Sequence, residues 1–242
     1  MVKAGPYAAI GAYGVAEAAR FARVNTQTAR RWIRGSGVHR YAPVLQPDLS
    51  PVDGRYALSF LDLIDLLVVG RFREEGVSLQ WVRRAHTWLS QKLETRHPFA
   101  HNKLFTDGTS IFLEMWEKVS NAHESGTEAR GHDVKEHRLI ETVTGQHAVP
   151  MLLQPYLTQI EYSSDTRQAL RWRIAEGVIL DPFRSFGKPT LTETGTTTFV
   201  LASSYWANGE NTTLVADLFN VSPESVRCAV LFESEFSSHR AA

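Results

Sequence analysis

Three arginines, two threonines and a glutamine fall within nine residues near the start of the chain. The spacing predicts a helix over Thr26–Arg34, begun by Asn25 and ended at Gly35. One face of this helix is apolar and consists of Ala29, Trp32 and Ile33. The other faces carry side chains of the kinds that contact DNA phosphates and base edges, namely Thr26, Gln27, Arg30, Arg31 and Arg34. The segment therefore predicts a DNA-binding helix.

The distribution of charge supports this prediction, although the chain as a whole has a formal net charge of zero. Residues 1–40 contain seven basic residues, the last of them Arg40, and a single acidic residue, Glu17. An excess of this size favours contact with a polyanion. A helix with several arginines is often only a solvent-exposed helix without a nucleic-acid partner. The local excess of positive charge is the reason for preferring the interpretation as a DNA-binding helix.

The same region resembles the opening of MerR-like regulators. The motifs Y-G-V-A-E-A-A-R at 13–20 and V-N-T-Q-T-A-R-R-W at 24–32 are similar to their two-helix DNA-binding unit. The run L-D-L-I-D-L-L-V-V-G-R-F-R-E-E-G-V-S-L-Q-W-V-R-R-A at 61–85 is similar to the helix pair that follows it. This resemblance covers residues 10–95 and implies a winged helix-turn-helix domain.

Two β-prone segments, 41–45 and 56–59, flank a proline-containing stretch with an Asp53-Gly54 turn signal. They predict a β-hairpin directly after the arginine-rich helix, where MerR-like domains have their wing. Arg40 or Arg55 would then reach the phosphate backbone. A hairpin without DNA contact is an equally good interpretation of these residues.

The rest of the chain predicts an α+β fold that is mainly helical. Helices are expected over 60–75, after the Ser59–Asp62 capping box, and over 78–93. A hairpin is expected at 103–112 and a linker at 120–138. We expect a DNA-binding domain at 1–95, a hairpin and linker at 96–154, and a domain for toxin binding and dimerisation at 155–242.

The last third predicts a small β-unit followed by a three-helix bundle, with helices over 198–207, 211–219 and 222–234. The motifs V-I-L-D-P at 178–182, F-G-K-P at 186–189 and V-S-P-E-S-V at 221–226 are similar to a small trihelical domain found in antitoxins. Together with the first domain, this resemblance implies a VapB-type antitoxin of the longer, two-domain kind. It implies a PIN-like ribonuclease toxin as partner, operator DNA as second partner, and a homodimer or a toxin–antitoxin hetero-oligomer.

Residues 193–236 hold six acidic residues against Arg227 alone. Acidic residues on exposed helices often serve only solubility. A toxin that binds RNA, however, needs a basic surface, and an acidic partner is complementary to such a surface. The candidate toxin-binding residues are Glu210, Asp217, Glu224, Glu233 and Glu235.

The sequence contains few signals of catalysis or of metal binding. The chain has neither a nucleophile-elbow motif nor a glycine-rich phosphate loop, so we do not expect an enzyme or a cofactor. The histidines at 132 and 137 have the wrong spacing for a zinc motif, and we expect no metal. One cysteine, Cys228, and no apolar run of membrane-spanning length favour a cytoplasmic protein. The alternative is a MerR-like transcriptional regulator whose C-terminal half, within residues 100–236, senses a small ligand.

Overall fold

The computed structural model describes residues 10–35, 42–106, 153 and 155–238. The fold is α+β, as predicted. Arg40, the strand predicted at 109–112, the linker at 120–138 and the histidines at 132 and 137 lie outside the described residues. The elements, in chain order, are β1 (Tyr13–Gly14), α1 (Val15–Phe21), α2 (Thr26–Arg34), β2 (Ala57–Leu58), α3 (Phe60–Glu74), α4 (Leu79–Leu93), α5 (Lys103–Thr106), β3 (Ile160–Tyr162), β4 (Ala169–Ala175), β5 (Val178–Leu180), β6 (Thr190–Leu191), α6 (Thr198–Ala207), α7 (Thr212–Phe219) and α8 (Pro223–Ser238).

Helix α2 has the bounds that the sequence predicts, because both of its ends are encoded locally. The Asn25 side chain accepts hydrogen bonds from the backbone N–H groups of Gln27 and Thr28. Gly35 ends the helix with a φ of 74°, a conformation that favours glycine. The predicted apolar face, Ala29, Trp32 and Ile33, is buried. The opposite face of α2 is therefore the one presented to solvent.

Helix α3 is the buried centre of the N-terminal half. The Ser59 side chain accepts from the backbone N–H of Asp62, and the Asp62 carboxylate accepts from the backbone N–H of Ser59, as the capping box predicts. Gly70 of α3 lies against the turn between α1 and α2, where an added Cβ would be 2.7 Å from Cγ2 of Val24. This close approach packs the turn before α2 directly against α3.

The sequence predicts that strands at 41–45 and 56–59 pair to form the wing, and this pairing is wrong. The backbone N–H groups of Val44 and Leu45 both donate to the Trp32 carbonyl oxygen, at 2.7 and 3.3 Å, so this segment follows the end of α2. Strand β2 instead pairs antiparallel with β1. The hairpin that does form is shorter and joins Val52 to Arg55, which exchange two backbone hydrogen bonds across the Asp53-Gly54 turn.

The strand predicted at 103–106 is also wrong, since these residues form helix α5, which buries Leu104. The β-unit predicted further along the chain is an antiparallel sheet in the order β3-β4-β5-β6. Trp172 of β4 pairs with Ile160 on one side and with Leu180 on the other. The sheet buries one face against the core of the N-terminal half.

Helices α6, α7 and α8 contact one another and enclose a second, smaller core. Its buried members are Leu191, Leu201, Val215, Ala216, Val226 and Ala229. The sequence predicts that Leu214, Val215 and Leu218 of α7 face this core. Val215 is buried as predicted, but Leu214 and Leu218 are 41% and 62% exposed. Ala216 is buried beside Val215.

The two ends of the described chain meet at one aromatic cluster. The ring of Phe21 on α1 lies 6.4 Å from that of Phe232 and 5.5 Å from that of Phe236, both on α8. The Arg20 guanidinium donates to the Phe236 carbonyl oxygen at 3.3 Å. The main hydrophobic core thus includes residues of both expected domains, and their division at 96–154 stays a prediction.

No helix within the described part of the chain has the length and hydropathy to cross a bilayer.

Candidate nucleic-acid interface

A cleft of about 520 Å³ runs along the exposed face of α2. Its walls are the start of α1 on one side and the residues after the Val52–Arg55 hairpin on the other. Four arginine side chains line it, which are Arg30, Arg31, Arg34 and Arg55. We call this space the first cleft.

Arg34 is held in a defined position at the first cleft. Its guanidinium donates to the Gly54 carbonyl oxygen at 3.2 Å and lies 5.4 Å from the centroid of the Tyr56 ring. A guanidinium stacked on a tyrosine keeps its charge and loses rotational freedom. The Asp53-Gly54 turn therefore orients an arginine of α2.

The structure brings together most of the residues predicted to contact DNA. Gln27, Arg30, Arg31 and Arg34 all line the first cleft and are exposed. Thr26 is half-buried at the first turn of α2 and does not line the cleft. These positions stay a prediction for DNA contact.

A second cleft of about 720 Å³ lies on the other side of α2, between that helix and the helix pair α3 and α4. Its basic side chains are Arg23, Arg31, Arg73 and Arg83. The Arg83 Nε donates to the Ala42 carbonyl oxygen at 3.1 Å, and Arg73 donates to the Val77 carbonyl oxygen. Sequence reasoning missed Arg73 and Arg83, because helical spacing along α3 and α4 does not show which side faces α2.

The charges beside α2 are largely not neutralised by the protein. Among the described residues, no carboxylate forms an ion pair with the six arginines Arg30, Arg31, Arg34, Arg55, Arg73 and Arg83. Arg23 is different, since it lies 3.3 Å from Glu235 of α8. Glu74 also lines the second cleft, where it pairs with Arg71. Both clefts still have an excess of cationic side chains, which raises the local concentration of anions. The surface around α2 suits a polyanion.

A cluster of one histidine and three aspartates lies behind this surface and supports it. His97 Nδ1 donates to Oδ2 of Asp65 at 2.9 Å, and His97 Nε2 lies 2.9 Å from Oδ2 of Asp48. Asp65 and Asp62 belong to α3, and the Asp62 carboxylate accepts from the backbone N–H of Asp48 at 3.0 Å. The cluster ties α3 to the chain before it and to the chain after α4.

The pKa values in this cluster are shifted by burial and by the hydrogen bonds between its members. Burial opposes the charge of His97, but the hydrogen bonds to Asp48 and Asp65 outweigh it and raise the pKa of His97 to about 10. The hydrogen bond from His97 lowers the pKa of Asp48 against the effect of burial. Burial raises the pKa of Asp62 to about 6, in spite of its two backbone hydrogen bonds. At neutral pH, His97 is therefore an imidazolium ion between two carboxylates.

Asp48, Asp62 and His97 are also residue types that bind metal ions, and each offers a ligand atom within 4.8 Å of the others. The two His97 nitrogens, however, are engaged as donors to carboxylates. A metal ligand needs a nitrogen lone pair, which the imidazolium ion lacks. The cluster is best explained as an internal ion network, and the sequence missed it because its members are far apart along the chain.

The acidic residues expected to bind a toxin divide into two groups. Glu233 accepts from the Thr198 hydroxyl at 2.5 Å, Glu235 pairs with Arg23, and Glu224 pairs with Arg227 at 2.6 Å. Glu210 and Asp217 are exposed. Large apolar side chains on the same three helices are also exposed, namely Phe199, Val200, Trp206, Leu214, Leu218 and Leu231. We call this combination of acidic and apolar side chains on α6, α7 and α8 the outer helical surface.

The chain is similar in sequence to a known protein. The chain is 25% identical over 228 residues to "Putative antitoxin VapB45" of Mycobacterium tuberculosis strain H37Rv. The alignment covers 90% of this chain and 92% of that protein. The chain resembles a VapB-type antitoxin. No protein-family model matches it.

A solved structure has the same fold. The crystal structure of Rv2018 from Mycobacterium tuberculosis matches with a TM-score of 0.67 at 26% identity, covering 90% of this chain and 96% of that one. The likeness to VapB45 and to Rv2018 extends over nine tenths of the chain, so it is confined neither to the arginine-lined clefts nor to the outer helical surface.

Proposed function

We propose that this protein is an antitoxin that binds its own operator DNA through α2 and neutralises a PIN-like ribonuclease through its C-terminal helices. The observation that carries the proposal is the exposed face of α2, whose arginines border two clefts, in a chain similar over nine tenths of its length to VapB45. The protein acts in this proposal as a non-enzymatic repressor in the cytoplasm.

Helix α2 has the size and side chains of a recognition helix. Its nine residues span ~13 Å at a rise of 1.5 Å per residue. An α-helix fits the major groove of B-DNA, where arginine binds guanine and glutamine binds adenine. Gln27, Arg30 and Arg31 are the proposed base or phosphate contacts, with Thr26 beside them. Arg34, held by Tyr56 and Gly54, is the proposed contact to the DNA backbone.

The short hairpin takes the place of the predicted wing in this proposal. It places Arg55 at the rim of the first cleft, next to Arg34. With α1 and α2 packed together, it gives a reduced winged helix-turn-helix of the MerR-like kind. One helix of nine residues reads few base pairs, so useful specificity requires two copies on a two-fold symmetric operator. The proposed DNA-binding form is therefore a homodimer.

The outer helical surface is the proposed toxin-binding surface. A ribonuclease holds RNA with cationic side chains, and the exposed Glu210 and Asp217 complement them. The exposed apolar side chains beside these acids, including Leu214 and Leu218, supply area that a protein partner can bury. Glu224, Glu233 and Glu235 are proposed contacts that must first leave their partners within the chain.

The DNA-binding part of the proposal is tested by fluorescence anisotropy on a 30-bp duplex from the region upstream of the protein's own gene. The variant is Arg30→Ala with Arg31→Ala, and the control is Arg173→Ala with Arg227→Ala, which removes the same charge from exposed positions outside the clefts. Each lost phosphate contact lowers the slope of log K against log salt by ~0.9. We expect a loss of ~2 in the slope for the first pair. Equal affinity of both variants and the wild type would refute the assignment of α2.

The toxin part is tested by co-expression with a PIN-like ribonuclease encoded beside this gene. We expect the wild type to co-purify with the ribonuclease and to suppress its activity. Leu214→Ser with Leu218→Ser is expected to lose both effects and to keep DNA binding. DNA binding together with failure to bind any such ribonuclease would favour a MerR-like regulator that senses a small ligand.

A further inference from the structure

Two phenylalanines project from the loop between β5 and β6. Phe183 is 64% exposed and Phe186 is 70% exposed, and only Arg184 and Ser185 separate them. Single exposed apolar residues are normal on protein surfaces, so exposure alone does not indicate a function. We call this segment the 183–186 loop.

The backbone of the loop adopts a conformation that side chains disfavour. Ser185 and Phe186 are consecutive non-glycine residues with φ values of 46° and 55°. This left-handed region is costly for residues with a Cβ atom, and it persists only where the surroundings impose it. The conformation turns an apolar side chain out into water.

Contacts with the first elements of the chain impose this conformation. The buried Tyr13 hydroxyl donates to the Gly187 carbonyl oxygen at 2.8 Å, and the backbone N–H of Ala12 donates to the Phe186 carbonyl oxygen at 3.1 Å. An added Cβ at Gly187 would lie 2.3 Å from the Tyr13 hydroxyl. The 183–186 loop therefore has a fixed position relative to β1.

This position is close to the first cleft. Strand β1 leads directly into Gly14, Val15 and Ala16, which form one wall of that cleft. Gly14 is two positions after Ala12 in the chain, a span of at most ~7 Å. The loop backbone bonded to Ala12 thus lies on the order of 10 Å from the cleft wall, well within one ~34 Å turn of a DNA duplex.

The charges at the loop are compatible with DNA. Glu17 is neutralised by Lys188, whose ammonium group lies 2.8 Å from its carboxylate. The buried Asp181 has the guanidinium groups of Arg171 and Arg184 at 3.5 and 3.6 Å. Glu17 and Asp181 are therefore both paired with cations, which limits the repulsion between these two carboxylates and a phosphate.

We propose that the 183–186 loop is an aromatic extension of the DNA-binding surface. Phe183 and Phe186 contact sugars and base edges in the minor groove beside the major groove that α2 enters. Apolar side chains inserted between base steps kink a duplex, so the protein bends its DNA. This inference rests on the proposed DNA-binding function and adds a second contact region, with a different groove and a different chemistry.

The test uses the double variant Phe183→Ser with Phe186→Ser in the full chain. The control for DNA binding alone is Phe199→Ser, which removes a phenylalanine of similar exposure, 66%, that lines neither cleft. Phe199 belongs to the outer helical surface, so this variant is not compared in the ribonuclease assay. Affinity and salt dependence are measured by anisotropy on the same 30-bp duplex, and bending by energy transfer between dyes at its ends. We expect the double variant to bind at least ~10-fold more weakly, because lost stacking on one or two base steps has this size. We also expect an unchanged salt slope, since no charge is removed, and a reduced bend.

Several outcomes separate this inference from the proposed function. A wild-type protein that binds no duplex in a salt-dependent manner refutes both. DNA binding by the wild type, with equal affinity and bend in the double variant, refutes only the role of the loop. A double variant that binds DNA normally but changes its oligomeric state in sedimentation, or loses the ribonuclease, shows that the loop contacts protein and refutes the inference. If the double variant does not fold by circular dichroism, Phe183→Ser alone decides the question.

Discussion

Replacing His97 with glutamine is expected to destabilise the protein in a manner that depends on pH. The substitution removes the imidazolium ion and keeps a polar side chain at a buried position. Asp65 then loses its cationic partner, whereas Asp48 keeps Arg96, whose guanidinium lies 3.2 Å from its carboxylate. A buried carboxylate without a partner costs several kcal/mol.

The magnitude follows from the shift in the pKa of His97, from 6.5 in the unfolded chain to about 10 in the folded protein. At 1.36 kcal/mol per pH unit, the difference corresponds to an upper limit of ~5 kcal/mol of stability. Because the folded state holds the proton more tightly, this stability is fully present below pH 6.5. It is lost as the pH rises towards 10, by up to ~1.4 kcal/mol per pH unit.

The assay is urea unfolding of the wild type and of His97→Gln at pH 6, 7, 8 and 9. We expect the variant to be ~3–5 kcal/mol less stable at pH 6, and the difference to shrink steadily towards pH 9. His101→Gln is the control, because burial lowers the pKa of His101. The stability that this histidine contributes therefore does not decrease as the pH rises, which is opposite to the expectation for His97. A difference between wild type and His97→Gln that stays constant with pH would refute the assignment of an imidazolium ion to His97.

Three further predictions concern packing and hydrogen bonds near the interface. Gly70→Ala is expected to cost ~1–3 kcal/mol in thermal unfolding because its Cβ meets Val24, and a Val24→Ala second substitution should recover part of this loss. Tyr13→Phe is expected to cost ~1–3 kcal/mol in urea unfolding by leaving the Gly187 carbonyl oxygen without its donor, and an unchanged midpoint would contradict this. Ser59→Ala is expected to cost ~1 kcal/mol by removing the cap of α3, whereas Ser59→Thr, measured in the same way, should retain most of the stability.

Local signals predicted the helices near the interface well. Asn25 and Gly35 bound α2, and Ser59 begins α3, because a cap acts on backbone groups only two or three residues away. The same locality explains why the arginines of α2 could be assigned to its exposed face from spacing alone.

Long-range pairing could not be predicted in this way. The β-propensity of 41–45 is real, but the backbone donors of Val44 and Leu45 are taken by the Trp32 carbonyl oxygen. Strand β2 finds its partner in β1, more than forty positions earlier in the chain. A window of a few residues shows neither the hydrogen bonds of Val44 and Leu45 to Trp32 nor the pairing of β2 with β1.

The candidate interface shows the same limit. Tyr56 orients Arg34 across more than twenty positions, and Arg73 and Arg83 reach α2 only because α3 and α4 pack beside it. On α7, apolar residues occur on more than one face, so the sequence predicted Leu214 and Leu218 in the core together with Val215, and only Val215 is buried. The packing of neighbouring helices decides such cases.

The aromatic contact between α1 and α8 makes the packing of the N-terminal half depend on the last helix. Phe21 acquires its neighbours Phe232 and Phe236 only when more than two hundred further residues are present. Any nascent or proteolysed form that lacks α8 leaves this ring in water and the helix before α2 without its cover. Protease removal of α8 would thus also destabilise the packing beside α2, so that a single cut would remove both proposed activities.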